Sequence, residues 1–290
     1  MKNALLVAVS VALSVSAGEP VKHRFICVDN GANQLLCVDQ QDPARGWSVP
    51  IPAGARDLQR IDPEHLLVSH GNGCGIYRLS DGACVWKLEG FSGIQTAQFS
   101  KERDELVLGS SSKEAYEFRV LPRTGEWFAS KPARVVSIPG QPAGLLRLVR
   151  LTPDGHLLFT AGHRVVEWDP AKQAETWSAE FPGKGYVAER LPDGTTCVST
   201  GGAVSVVEIG KDGQIRKTWA GEALKQTWRL DWFSGFQFLS NGHLVVANWL
   251  GHGAWGKGPH VIEMDRDNKL LWSWEDHQAA KQVTNVLVVE

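Results

Sequence analysis

Short apolar runs bounded by turn residues recur along the chain from residue 24 to residue 289. They have strand length rather than helix length. One phrase returns several times, a turn followed by a β-rich run and a second turn. Its copies are Pro63-Glu64-His65-Leu66-Leu67-Val68, Pro153-Asp154-Gly155-His156-Leu157-Leu158-Phe159, Pro192-Asp193-Gly194 before Thr196-Cys197-Val198, and Asn241-Gly242-His243-Leu244-Val245-Val246. A degenerate copy is Arg103-Asp104-Glu105-Leu106-Val107-Leu108. Asp-Gly and Asn-Gly suit tight hairpin turns because both residues tolerate positive φ.

Each copy is the second strand in a group of four. One group reads 58–61, 66–69, 75–79 and 84–88; another reads 146–151, 157–160, 164–168 and 175–181. The same order recurs around 95–99, 187–191 and 236–239. The period is about 40 residues, stretched to about 50 where loops lengthen, which is the propeller signature. A sandwich gives no reason for a regular period. The ends set the number of blades. Residues 24–28, 35–38 and 47–51 form three strands with no group before them, and 283–289 is a lone strand with no group after it. The lone strand fits as the innermost strand of the first blade, which removes free sheet edges. The fold class is therefore all-β, a six-bladed β-propeller of four antiparallel strands per blade, closed by the C-terminal strand.

Twelve Trp against three Tyr is an unusual ratio. Trp86 follows Gly82 in the spacing G-x-x-x-W, and Trp47, Trp177, Trp219 and Trp272 fall on the corresponding outer strands. This pattern resembles the tryptophan-docking repeat of the quinoprotein-like (PQQ-type) β-propellers, here as a six-bladed variant. The resemblance implies that each of these indoles packs against the neighbouring sheet. The chain departs from the family in four respects. Val135-Val136 stands where blade three would carry its Trp, and the glycine spacing is kept well only in blade two. Quinoprotein dehydrogenases have eight blades, and their adjacent cysteine pair over the cofactor is absent here. The resemblance implies a fold and a packing role, and no quinone; no cofactor can be named from the sequence.

Charge and the first residues narrow the setting. The net charge of −2 offers no general attraction to nucleic acid or anionic membrane. Met1-Lys2, the apolar stretch 4–15 and Val15-Ser16-Ala17 read as a signal peptide, residues 1–17. The propeller would then occupy 18–290, in the periplasm or the medium, with no stable membrane insertion after cleavage. Export permits disulfides. Cys27/Cys37 and Cys74/Cys84 each flank a hairpin turn, and Cys197 leaves the count odd. The simpler reading of all five is as small apolar strand residues.

Function in a repeat scaffold is expected where the repeat breaks. The break is in blade six, between its second and third strands: Asn248-Trp249-Leu250-Gly251-His252-Gly253-Ala254-Trp255-Gly256-Lys257-Gly258-Pro259-His260. The segment leading into the blade adds Trp228, Arg229, Asp231 and Trp232, and the segment after it adds Asp276 and His277. Topology brings these segments to one sector of the channel face. Trp228, Arg229, Asp231, Trp232, Trp249, His252, Trp255, His260, Asp276 and His277 are the candidate ligand-binding residues. Flat indole faces ringed by polar donors suit a sugar-like or aromatic small molecule. Acid–base chemistry by His252, His260 or His277 with Asp231 or Asp276, as in a lyase- or sulfotransferase-like propeller, is the enzymatic alternative. No catalytic residue is assigned. The histidine spacing fits no standard zinc pattern. A loop that plugs the channel, or a protein-interaction scaffold, are the remaining readings. His70, Asn72 and His163 lie on the same expected face, where turn capping competes with function.

Overall fold

The protein is described by a computed structural model over residues 20–139 and 146–289. The expected signal peptide lies outside the described residues. Six sheets form in chain order. Blade one joins Val283–Val288, Arg24–Asp29, Gln34–Asp39 and Trp47–Pro50 from the inside outward. Blade two comprises Leu58–Arg60, His65–His70, Gly73–Arg78 and Cys84–Glu89. Blade three comprises Ile94–Ser100, Glu105–Ser111, Ala115–Thr124 and Arg134–Pro139, with a small extra strand, Trp127–Phe128. Blade four runs from Val149–Leu151 to Ala174–Glu180, blade five from Ala188–Arg190 to Ile215–Ala220, and blade six from Phe233–Phe238 to Leu270–Trp274. All pairings within the blades are antiparallel, as the repeat predicts.

The ring closes in blade one, where the two ends of the described chain pair. Phe25 faces Val288 and Cys27 faces Val286 across the antiparallel ladder. Asp29, fully buried, locks the top of this seam. Its carboxylate accepts main-chain N–H groups of Gly31, Ala32, Lys281 and Gln282 at 2.8–3.2 Å, and the Gln34 amide at 3.0 Å. A buried carboxylate is tolerated only when so fully satisfied.

The hub is tied by a second buried carboxylate. Asp57 accepts from Arg150 at 3.0 Å and from Thr96 at 2.5 Å, and Arg150 also approaches Glu189 at 3.6 Å. Four blades, from the second to the fifth, meet in that cluster.

The outer tryptophans dock forward, each onto the next blade. The Trp47 indole N–H donates to the Leu79 carbonyl and Trp177 to the Lys211 carbonyl, at 3.2 and 2.9 Å. Trp219 is fully buried and meets Phe238 edge-on at 5.6 Å. Trp272 crosses from blade six to blade one, donating to Gln40 at 3.0 Å and packing on Phe25 at 5.4 Å. Gly82, with φ of 73°, accepts the Trp47 ring so closely that an added Cβ would lie 2.6 Å from it. That contact explains the Gly of the G-x-x-x-W spacing, which serves the preceding blade's indole. Trp86 reaches blade three through Phe128 at 5.7 Å. Blade three has no outer Trp to send onward, and Val135 at that edge is exposed.

The five cysteines are all free thiols. Cys27 pairs across with Leu36 and Cys37 with Ile26, so the two thiols point to opposite faces of the sheet. Cys74 faces Leu88 and Cys84 faces Tyr77, which likewise separates them. The recurrent histidines are structural pegs. His156 and His243 each donate to a glutamate of the adjacent third strand at 2.7 Å, and His65 donates to Asp62 of its own turn at 3.0 Å. Glu263, nearly fully buried, takes His243 and also His23 of the N-terminal segment. Burial alone would raise the Glu263 carboxyl; the two histidine hydrogen bonds outweigh it and hold it below its ordinary range.

Two outcomes follow. Trp272→Ala should lower stability by roughly 3–5 kcal/mol, read as a fall in Tm, because it leaves a cavity across the closing seam. A lowered carboxyl stabilises the fold above its unfolded pKa and loses that contribution as pH falls through the folded value. Denaturant titrations should therefore show wild type losing stability below about pH 4.5. Glu263→Gln should be weaker by about 2 kcal/mol at neutral pH and show a flatter acid limb.

Candidate functional site

The innermost strand of every blade begins at one end of the channel, and the turns between second and third strands share that end. The segments just before these strands therefore converge on the channel mouth. A cavity of about 180 Å³ lies there. Blade six contributes Trp232, Trp249 and His252; the approaches to blades two, four and five contribute Arg56, Arg147 and Tyr186. Asn30 and Thr284, on either side of the closing seam, complete it.

Asn248 builds the blade-six wall. Fully buried at the end of Leu244–Asn248, its side-chain oxygen accepts the Asp231 and Trp232 N–H groups at 2.8 and 3.2 Å. Its amide donates to the Pro259 carbonyl at 2.7 Å, which pins the far end of the long loop. The Trp249 N–H donates to the Trp232 carbonyl at 2.7 Å, so the two tryptophans are held side by side by main chain. Their rings meet edge to face at 6.5 Å and 79°. His252, in the left-handed backbone region with φ of 34°, sets its ring 5.1 Å from both. Gly251 is required by this fold-back, since an added Cβ would overlap the Trp249 ring at 2.0 Å. Trp232 in turn rests on the backbone of Gly201 in blade five.

Electrostatically the mouth is one-sided. Among the described residues its lining carries two guanidinium groups and no carboxylate. Burial pushes the Tyr186 phenol up, against the opposing pull of the Arg56 and Arg147 charges. Asp231 stands just behind Trp232. Burial raises its carboxyl, partly offset by His252 and Lys225, and one of its oxygens has no hydrogen-bond partner.

The structure divides the ten candidate residues. Trp232, Trp249 and His252 line the cavity, with Asp231 behind them. A second group sits further out, toward the blade six to blade one seam. Arg229 pairs with Glu275 in a two-pronged ion pair, and His277 donates to Glu275 at 3.2 Å. His260 is fully buried, 4.7 Å from His277 and 5.3 Å from Trp274. Neither of its ring nitrogens has a well-formed hydrogen bond. Burial first, then the neighbouring His277, lowers its pKa to about 4, so it is neutral at physiological pH. The other three candidates are placed apart. Asp276 caps its own turn through the Gln278 and Ala279 N–H groups. Trp228, half-buried, packs against the core between blades five and six. Trp255, 56% exposed, stands at the rim with the Lys281 ammonium 5.9 Å above its ring. Among the described residues no hydrogen bond joins His252, His260 or His277 to the side chain of Asp231 or Asp276, and no cluster of three or more metal-ligating side chains forms. His70 donates to the Asn72 side chain at 2.6 Å, as a turn cap would.

Arg56, Arg147, Tyr186, Asn30 and Thr284 escaped sequence reasoning. Three of them share a signal, however. Each is a large polar side chain within a few residues of the start of an innermost strand, the position that always faces the mouth.

No family model and no curated protein matches the chain. Solved structures do. A protein of unknown function from Bacteroides caccae aligns over 93% of this chain and 99% of its own, at 18% identity and a TM-score of 0.76. A streptogramin B lyase aligns over 95% and 96%, at 10% identity and a TM-score of 0.57. The virginiamycin B lyase of Staphylococcus aureus aligns over 77% and 70%, at 9% identity and a TM-score of 0.51. At these identities the likeness is one of fold: the chain is a six-bladed β-propeller that shares its architecture with a protein of unknown function and with streptogramin B lyases.

Proposed function

We propose that this is an exported ligand-binding propeller whose channel mouth holds a small molecule with a flat ring, aromatic or sugar-like. The observation that carries this reading is the Trp232–Trp249–His252 wall facing an open cavity of about 180 Å³. Aromatic side chains that merely plugged the channel would pack against its far wall, as core indoles do. Here Trp232, Trp249 and His252 border open space instead. The wall is also rigid, because Asn248 fixes both strands that bear it. Rigid, pre-formed aromatic surfaces lower the ordering cost of binding.

An enzymatic reading would need an acid and a base in reach of one another at an open site. His252 is the one imidazole lining the mouth among the described residues, and its nearest candidate partner, Asp231, makes no hydrogen bond to it. His260 and His277 are near each other, but His260 is sealed from solvent.

A thermal-shift screen with sugars, aromatic acids, aromatic sulfates and quinones should find compounds that raise Tm by mass action. For any such compound, calorimetry should show Trp249→Ala and Trp232→Ala weakening binding at least about tenfold, as expected for loss of an aromatic contact. Trp255→Ala, at the rim, should bind as wild type does. Unfolding of Trp249→Ala would favour the plug. Equal loss in Trp255→Ala would move the site off the mouth.

A further inference from the structure

We propose that the opposite end of the channel is a second binding site, which takes an organic cation: an ammonium group held by Glu189, with an apolar body against Leu191, Phe238 and Leu287. A cavity of about 440 Å³ lies there, lined by the later residues of the innermost strands. The repeat explains its lining. Strand pairing puts Gln59, Gln98, Arg150, Glu189, Gln237 and Leu287 at one equivalent position, one per blade, and all six border the cavity. Glutamine holds three of these positions, and two of the three show its purpose. The Gln59 amide donates to the Phe99 carbonyl at 3.0 Å and accepts the Phe99 N–H at 2.7 Å. Gln237 treats Val288 the same way, at 3.4 and 2.7 Å. Each clamps the innermost strand of the next blade with both ends of its amide. Glu189 stands at this position in blade five, and a carboxylate can only accept. Among the described residues it forms no such clamp and meets Arg150 instead.

The charges around Glu189 do not cancel. Among the described residues its carboxylate pairs with Arg150 alone, at 3.6 Å. Arg150 is already committed, since its Nη1 donates to both oxygens of the fully buried Asp57 at 3.0 and 3.2 Å. Two carboxylates thus share one cation. The outer of the two, Glu189, has a side chain 31% exposed and borders the cavity. Arg60, the other cation of the lining, is exposed and donates to the Asp62 and Pro63 carbonyls of its own turn. Burial, with Asp57 adding to it, raises the Glu189 carboxyl more than Arg150 lowers it. A cation beside Glu189 stabilises its charged form, and the low dielectric of the channel strengthens that pairing. The wall next to it is apolar. Leu191, Phe238 and Leu287 are each half-buried at the cavity, and an apolar body covering them removes that surface from water. An anion would instead meet the Glu189 carboxylate itself.

Calorimetry at neutral pH with three saturated probes tests this: cyclohexylmethylammonium, neutral cyclohexylmethanol and anionic cyclohexylacetate. None carries the flat ring that suits the mouth. The ammonium should bind at least about tenfold more tightly than the alcohol, and the carboxylate more weakly than both. Added salt should weaken the ammonium and leave the alcohol unchanged. Glu189→Gln should remove the preference and still fold, because Gln is the residue that blades two, three and six carry at that position. Trp249→Ala, at the other end of the channel, should bind the ammonium as wild type does. Should Glu189→Gln fail to fold, the order of the three probes and its persistence in Trp249→Ala decide the matter. Equal affinity for ammonium and alcohol, tighter binding of the carboxylate, a preference that survives Glu189→Gln, or loss of the ammonium in Trp249→Ala would each overturn the proposal. Failure of the ammonium to bind wild type at millimolar concentration would do the same. These outcomes leave the mouth standing, since its flat-ring ligands are scored by Trp232 and Trp249.

Discussion

Everything at the channel mouth depends on the seam where the two ends of the chain meet. Val283–Val288 supplies the innermost strand of a blade whose other three strands lie at the opposite end of the sequence. Such a closure must bring together segments separated by nearly the whole chain, at a large loop-closure entropy. Hydrophobic pairing of Phe25, Cys27, Val286 and Val288 offsets part of that cost. Asp29 adds specificity, because only one register presents the Lys281 and Gln282 N–H groups to its buried carboxylate. A slip of one residue would leave that charge unsatisfied in a dry interior, so the register is strongly enforced. Trp272 and Glu263 reinforce the same seam from outside and below, through Gln40 and His23.

A closed ring makes the mouth a meeting point of otherwise unrelated segments. Arg56, Arg147, Tyr186 and Trp232 come from four blades and share a cavity only because each precedes an innermost strand. The repeat alone would give a nearly symmetric rim. Blade six breaks the symmetry with its long loop, and Asn248 keeps that loop from being a floppy insertion by bonding to both of its flanks. The result is a rim with an aromatic wall on one side and a cationic one on the other. The scaffold's stability resides in the docking tryptophans and the buried carboxylates, so the residues of the mouth are released from that packing role.

The fold was legible in the sequence because its information is periodic. Turn residues before strand-length apolar runs, the outer-strand tryptophans and the unpartnered terminal strand each depend on local spacing, and together they specify six blades. The site was legible only where it interrupted that period. Trp232, Trp249 and His252 stood out because the blade-six loop is too long and too aromatic for a plain turn. The radial position of each side chain was not legible: His260, Asp276 and Trp228 belong to the same segments but serve a buried cluster, a turn and the core. Arg56, Arg147 and Tyr186 carry no motif, and what unites them is the topology of the ring. Blade three shows the converse, a missing outer Trp, with Phe128 of the short strand beside Ala115–Thr124 receiving Trp86 of blade two.

Hydrogen exchange over the terminal strand tests the central claim of closure most directly. The amides of Val283–Val288, together with those of Lys281 and Gln282, should be protected to the same degree as their partners in Arg24–Asp29, and should open only with global unfolding. Rapid exchange of the terminal strand while the other blades stay protected would mean that the ring is not sealed there, and the mouth described here would lose the seam that shapes it.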